Sequence, residues 1–409
     1  MANVALYYPW FYLKSGGERT CIELLKRSRH NWTVITNRYE RDATYPEMAQ
    51  YRMIELGKVS VKRTFAGAGS AGWRILTQRL PLDGQEVLLV FCDGLGDLVT
   101  FRNHSIPTLC VCFTPLRIFF DSDYRTRYLE SRSHPRLRKL ILHVLGAGFR
   151  IVDRLAWKNY MHIFPNSEET KARIVRAGLC PPDKLTVLQH GYDVSAARVT
   201  NIYEPYFLIA GRMMWTKNIE LGIDAFLDLR QRRPDLSRFT LKIAGFVDRK
   251  SRPYVAMLRE RAAGCTVIEF LESPEDTQLW KLYENCTAVV YTPFNEDLGL
   301  PPIEGMAHAK PVIAVNRGGP RETIVHGETG FLVEPSKQAF SSALETLADN
   351  PALVKNIGAA GRQHAKRFDW ATFTGPLDDF IDKVAHHQVC RTSISSTTQA
   401  SQQSISRIQ

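Results

Sequence analysis

The chain has 409 residues, 44% of them hydrophobic and 23% charged, with a formal net charge of +11 at pH 7. That length accommodates two domains with sizeable cores, so no disulfide scaffold is needed, and the eight cysteines show neither CxxC pairs nor metal-finger spacing. The positive surplus suits an anionic substrate, an anionic membrane surface or nucleic acid, against the plainer reading of a basic solvated surface.

In chain order, the opening "MANVALYYPWFYLKSGG" has no basic n-region, and Pro9 interrupts its apolar run, so it does not read as a secretion signal. "NVALYYP" predicts a strand, Gly16–Gly17 a turn, "ERTCIELLKRS" a helix and "WTVIT" the next strand. "EVLLVFC" and "TLCVCFT" predict two more strands. From Arg117 to Lys158 ten cations stand against four acids, a local excess of +6, with apolar side chains such as Phe119, Leu140 and Val144 interleaved. A helix with one basic and one apolar face lies in a membrane interface; the alternative is an ordinary helix whose apolar face is core. "HIFPNS" predicts a strand, "EETKARIVRAG" a helix and "LTVLQHG" another strand. No run of about 18 apolar residues predicts a membrane span. Scattered cysteines read as reduced thiols, so the expected location is cytoplasmic, peripheral on the inner face of the membrane.

The polar stretch 193–205 reads as a linker, after which the alternation restarts. "YFLIAG", "TLKIAG", "TVIEF", "AVVYT" and "PVIAV" predict strands, separated by the helical "NIELGIDAFLDLRQR", "YVAMLRERAAG", "TQLWKLYENC" and "IEGMAHA". Two doubly wound α/β domains with parallel sheets follow. The expected division is 1–195, 196–370, a closing helix at 371–388 that packs back towards the first domain, and a disordered Ser/Thr/Gln-rich tail at 391–409.

Ligands of such sheets bind where strand ends lead into helix N-termini. Two loops there carry chemistry. "FNEDLGLPPIEG" places Glu296 before Gly299 and Leu300, and Glu304 in the first turn of the helix opened by Pro301 and Pro302. Backbone amides for an anion beside carboxylates for hydroxyls suit a polyhydroxylated ligand carrying phosphate. A glutamate that merely complements a helix dipole is the bland alternative for Glu304. "LIAGRMMWTKN" adds Gly211, Arg212 and Lys217 after a strand, two cations suited to a diphosphate, although such a loop alone is usually a solvated turn.

Together these motifs resemble the retaining glycosyltransferases of family four, of the group 1 type, which have the GT-B fold: two Rossmann-like domains facing across a cleft. The similarity rests on the Gly211-Arg212…Lys217 loop, on Glu296 and Glu304 as E-x7-E, on Gly318, Gly319 and Glu322, on Gly327 to Val333, and on Gly16–Gly17. "FPNSEETKARI" and "FDW" resemble the segments closing the family's first domain and opening its last helix. "CFTPLRIFFDSDY" is similar to a stretch of bacterial mannosyltransferases in Thr114, Pro115, Arg117 and Asp121, with Phe113 where they have His. Lys310 stands where the family is expected to end its helix with Gly.

The resemblance implies transfer of a hexose, mannose favoured, from a nucleoside-diphosphate sugar, GDP-mannose over a UDP-sugar, to a saccharide or lipid-linked acceptor. It implies that Arg212 and Lys217 hold the diphosphate, Glu304 the ribose, and Glu296 a sugar hydroxyl, with Gly211, Gly299 and Leu300 lining the donor. Phe270 and Leu271 border the base, and Gly16, Gly17 and Arg117 lie on the acceptor side. Asp121-Ser122-Asp123 spells the metal signature of another fold, but the family does without metal and no cofactor is expected. The rivals are a phosphorylase or epimerase of the same fold, which fit the Arg/Lys loop less well, and a catalytically silent partner subunit. Nucleic-acid binding is not expected, since no interleaved aromatic and basic platform occurs.

Overall fold

The computed structural model describes residues 1–61, 64–130 and 135–386. The chain forms two compact units, Met1–Leu188 joined by the chain from Phe373, and Gln189–Thr372.

In the first unit, strands β1 (Asn3–Tyr7), β3 (Asn31–Thr36), β5 (Met53–Glu55), β6 (Val87–Cys92), β7 (Thr108–Cys112) and β8 (His162–Pro165) form one sheet, with β2 (Trp10–Phe11) and β4 (Arg38–Tyr39) paired beside it. All its pairings are parallel, in the order β5-β3-β1-β6-β7-β8. Helices α1 (Gly16–Arg27), α2 (Phe65–Thr77), α3 (Arg117–Phe120), α4 (Ser122–Glu130), α5 (Pro135–Trp157) and α6 (Glu168–Arg176) connect them. β6, "VLLVFC", is buried at every position, as a central parallel strand covered on both faces must be. Ser167 caps α6 by accepting the Thr170 amide at 3.0 Å.

The second unit repeats the plan. Strands β9 (Tyr206–Ala210), β10 (Thr240–Gly245), β11 (Ile268–Glu272), β12 (Ala288–Tyr291), β13 (Val312–Val315) and β14 (Gly330–Val333) take the order β11-β10-β9-β12-β13-β14. Helices α7 (Ile219–Arg232), α8 (Arg252–Arg261), α9 (Asp276–Asn285), α10 (Leu300–Ala307), α11 (Pro320–Thr323), α12 (Lys337–Asp349) and α13 (Pro351–Ala365) cover it. Counted within each sheet the order is third, second, first, fourth, fifth, sixth in both units, the doubly wound Rossmann arrangement. Its strand order reverses between β1 and β6 in one unit and between β9 and β12 in the other.

Several expectations from sequence are corrected. "LTVLQHG" is not a strand. Thr186 and Leu188 donate to the Ile163 and Pro165 carbonyls at 3.1 and 3.0 Å, but Pro165 has no amide hydrogen to return, and only an isolated bridge at Leu185 forms. The second unit begins at Gln189, and 193–205 is bound to it rather than spanning freely: the Glu204 amide donates to Asn285 O at 2.8 Å. The helix-ending position is Ala309, whose φ of 56° is left-handed, and not Lys310. A helix over 370–386 ends the described chain, and its residues from 373 belong to the first unit. The tail expectation at 391–409 lies outside the described residues, as do Arg132 and Cys390. The seven described cysteines are free thiols.

Candidate functional site

The reversal point of the second sheet sets β9 and β12 side by side, so the loops after them meet at the carboxyl edge. Gly211 leaves β9 at φ +122°, and its amide donates to Ala244 O at 3.0 Å. Arg212 follows, half-buried, with no ion-pair partner among the described residues. A single turn, Trp215–Lys217, then leads to α7 through Asn218, itself left-handed at φ 50°. Two bonds tie this loop to the loop after β12: the Phe294 amide donates to Thr216 O at 3.2 Å, and Thr292 Oγ1 to Lys217 O at 2.9 Å.

Lys217 Nζ forms an ion pair with Glu296 Oε2, and the Tyr291 hydroxyl donates to the same oxygen at 3.1 Å. The Gly318–Gly319 turn backs the glutamate: Gly319 N donates to Glu296 O at 3.0 Å, and a Cβ on Gly318 would stand 2.3 Å from that oxygen. Gly299, at φ +90°, lets the chain pass Tyr291, whose hydroxyl would lie 2.5 Å from a Cβ there. Leu300 opens α10, and since Pro301 and Pro302 in its first turn carry no amide hydrogen, the donors left there are those of Leu300 and Ile303, between Glu296 and Glu304 in sequence. Glu304 accepts the Tyr283 hydroxyl at 2.5 Å. Burial, then the neighbouring glutamate, pushes both phenols well above their ordinary range, so each stays a neutral donor to its carboxylate. Gln189 Nε2 reaches Glu322 at 3.3 Å. Phe270 and Leu271 sit on the edge strand β11, Phe270 under the Arg259 guanidinium at 4.8 Å.

In the first unit Gly16 and Gly17 open α1. A Cβ on Gly17 would meet the Tyr8 hydroxyl at 3.0 Å and the Phe113 ring at 3.5 Å. Phe113 packs edge-on against Tyr8 and Phe91, filling the place expected of a histidine with an aromatic cluster. Beside it, at the reversal point after β6, Asp93 accepts the Tyr8 hydroxyl and the Trp10 indole, each at 3.2 Å. Burial, with Cys92 next, raises the Asp93 carboxyl to about 6. Sequence reading missed Asp93; the signal was an acid directly after the fully apolar "VLLVFC".

Arg117 forks onto Asp121 at 3.1 and 2.8 Å and lies over the Tyr124 ring at 4.9 Å. Burial pushes the Asp121 carboxyl upward, but the Tyr124 amide and Arg117 hold it below the ordinary carboxylate range. Arg117 and Asp121 thus satisfy each other. Thr114 Oγ1 donates to Pro115 O at 3.1 Å. Among the described residues no group of three His, Cys, Asp or Glu could hold a metal ion.

Residues 196–364 match the family described as Glycosyl transferases group 1. The chain is 38% identical over 178 residues to the alpha-1,3/1,6-mannosyltransferase ALG2 of Homo sapiens, covering 41% of this chain and 42% of that protein. It is 28% identical over 274 residues to the D-inositol 3-phosphate glycosyltransferase of Pseudarthrobacter chlorophenolicus, covering 63% and 62%. The chain therefore spans less than half the length of the first relative and less than two thirds of the second. In fold it is similar to Anabaena HepE in complex with UDP, with a TM-score of 0.69 at 17% identity over 94% of this chain and 100% of that one. WaaG, a glycosyltransferase of lipopolysaccharide biosynthesis, gives 0.68 at 15% identity over 92% and 99%. These likenesses show the fold, which is GT-B.

Proposed function

We propose that this chain, whose residues 196–364 are a Glycosyl transferases group 1 domain, is a retaining glycosyltransferase acting on a nucleoside-diphosphate sugar. The observation that carries the reading is the Lys217–Glu296 pair, which joins the two loops at the reversal point of the second sheet, with Arg212 on the first loop and Glu304 in the second turn of α10, the helix that follows the other. Arg212 and Lys217 bind the diphosphate, and Glu304 binds the ribose. Glu296 exchanges its lysine for a hydroxyl of the transferred sugar. The acceptor is a saccharide, free or lipid-linked, bound on the first unit near Gly16, Gly17 and Asp93.

The reaction is a front-face displacement. The acceptor oxygen bonds to the anomeric carbon on the face from which the diphosphate leaves, and the leaving phosphate oxygen takes the acceptor proton. Arg212 and Lys217 stabilise the charge that develops there. Two protein cations do the neutralising work, so no divalent metal is needed. Mannose from GDP-mannose is favoured because the relatives at 35–38% identity are named mannosyltransferases, a nearer likeness than the 15–17% of HepE, solved with UDP and UDP-glucose.

The test is a thermal-shift screen of GDP-, UDP-, ADP- and dTDP-sugars followed by transfer assays with and without EDTA. The true donor at about 100 times its Kd stabilises by roughly 2.7 kcal/mol. Transfer survives EDTA. No stabilisation by any nucleotide sugar defeats the reading, and loss of transfer on chelation, restored by Mn²⁺, defeats its metal-free form.

A further inference from the structure

Glu304 is held from behind by side chains that the transfer reaction does not use. The Tyr283 hydroxyl, on α9, donates to Glu304 Oε2 at 2.5 Å. Tyr283 is 1% exposed, whereas Glu304 is half-buried. The Tyr283 ring lies parallel to the His308 ring, with 8° between the planes and 5.7 Å between the centroids. His308, also 1% exposed, ends α10 and meets the Arg198 carbonyl through Nδ1 at 2.9 Å. A carbonyl only accepts, so Nδ1 carries the hydrogen, and Nε2 faces the Tyr192 hydroxyl at 3.4 Å as an acceptor. Burial lowers the His308 imidazole, which keeps it neutral in this tautomer. Tyr192 is fixed in turn by its amide, which donates to Phe368 O at 2.8 Å.

These contacts fix the direction of the Glu304 carboxylate. A glutamate side chain is long and flexible, and one loosely held at a surface turns to water whenever its ligand lacks a matching hydroxyl. Burial holds the Tyr283 phenol protonated, so it stays a donor and the carboxylate stays aimed. The ordering of the side chain is then complete before a ligand arrives. The consequence is asymmetric. The hydroxyls of a ribose find a carboxylate already in place, while a pentose lacking one of them sets a C–H against a fixed negative charge that has lost its water. A site built to bond a hydroxyl rejects the analogue without it far more strongly than an apolar pocket rejects an added group.

We infer that Tyr283, held by His308, makes Glu304 a selector of ribose over 2′-deoxyribose, so that the chain takes ribonucleoside-diphosphate sugars and turns away dTDP-sugars, whose pentose is 2′-deoxyribose. Tyr283 is a positioning residue: it acts on the carboxylate and not on the sugar. The inference rests on the assignment of Glu304 to the ribose. The two are separable, because Glu304→Ala probes that assignment and Tyr283→Phe probes only the positioning.

Calorimetry of the full chain with GDP, UDP and their 2′-deoxy counterparts decides it. The ribonucleotide that binds should exceed its deoxy counterpart about tenfold or more, the worth of a hydrogen bond to a charged acceptor. Tyr283→Phe deletes one hydroxyl and keeps the ring on His308. It should weaken the ribonucleotide by about five- to tenfold and the deoxynucleotide by less than about twofold, closing most of the gap. His308→Gln keeps a donor for the Arg198 carbonyl but removes the stacked ring, and should narrow the gap in the same direction. A hydroxyl that merely supported the fold would weaken both nucleotides alike. Equal binding of the two nucleotides by the wild type, or equal weakening of both by Tyr283→Phe, overturns the proposal. A gap that survives Glu304→Ala overturns the ribose assignment itself, and the selector with it.

Discussion

Glu296 and Glu304 differ in what already holds them. Glu296 shares one oxygen between an ammonium and a phenol, and Glu304 accepts the Tyr283 phenol. Glu304→Ala should therefore weaken binding of the free nucleoside diphosphate by about 10–100-fold, the worth of a charged hydrogen bond to ribose. Glu296→Ala should leave that affinity unchanged or slightly tighter, because Lys217 is released to the diphosphate, while turnover falls. Calorimetry beside a transfer assay separates the two, and equal losses of nucleotide affinity would remove the assignment. The two glutamates and the Gly-Arg…Lys loop were readable because their spacing within one short stretch of chain is local. Tyr283, Tyr291 and Asp93 were not, since a phenol or acid gains its role only from which strands the fold sets side by side. Lys310, without account in the sequence, is a buried cation: its ammonium donates to Ile202 O at 2.7 Å and lies 3.9 Å above the Tyr203 ring, and burial lowers it to about 8.

The elements show where local pattern stops deciding. The long apolar runs of β6, β7, β9, β12 and β13 were legible because a parallel strand buried on both faces needs them. β5, "MIE", was not, being two half-exposed residues and an exposed glutamate that pair at the sheet's edge. "LTVLQHG" failed for the opposite reason: its pattern suits a strand, but Pro165 on its neighbour cannot complete the ladder. The end of α10 carries a testable consequence. Its carbonyls are closed by the Ala309 and Lys310 amides on Met306 O and Gly305 O at 2.9 Å, which forces Ala309 left-handed at φ 56°. An L-residue is penalised there by about 1–2 kcal/mol, part of which glycine returns as unfolded-chain entropy. Ala309→Gly should stabilise the second unit by about 1 kcal/mol, a rise of roughly 2–4 °C in its unfolding midpoint by calorimetry. A lower midpoint would mean that the alanine methyl's packing outweighs the backbone strain.

At the scale of the whole chain, the second unit is one continuous stretch, while the first is completed only when the C-terminal helix arrives. That helix is held by buried polar contacts at a remote position in the sequence. Asp378, 3% exposed, accepts Ser28 Oγ at 2.6 Å and the Arg29 amide at 3.0 Å, and its carbonyl meets His30 Nε2 at 3.2 Å. Outside this, Arg29 pairs with Asp379 at 2.7 Å and Asp382 at 2.6 Å. Asp378→Ala leaves a part-buried amide and a hydroxyl without their acceptor, a loss of about 1 kcal/mol. The loss should appear as faster hydrogen exchange in β1, β3 and the 373–386 helix, with α7 and β9 to β13 unchanged; slowed folding of the second unit instead would contradict this division. Acid should probe the same seam. The Arg29 hydrogen bond holds the Asp382 carboxyl below its ordinary value, so the folded state binds that proton more weakly than the unfolded chain does. The pair's contribution is then complete above about pH 4, the unfolded value, and is lost as pH falls through the lower folded one. Because both partners are partly exposed and screened, the acid effect of Asp382→Asn is expected to be small, and to fade only as pH falls below the unfolded value and through the folded one.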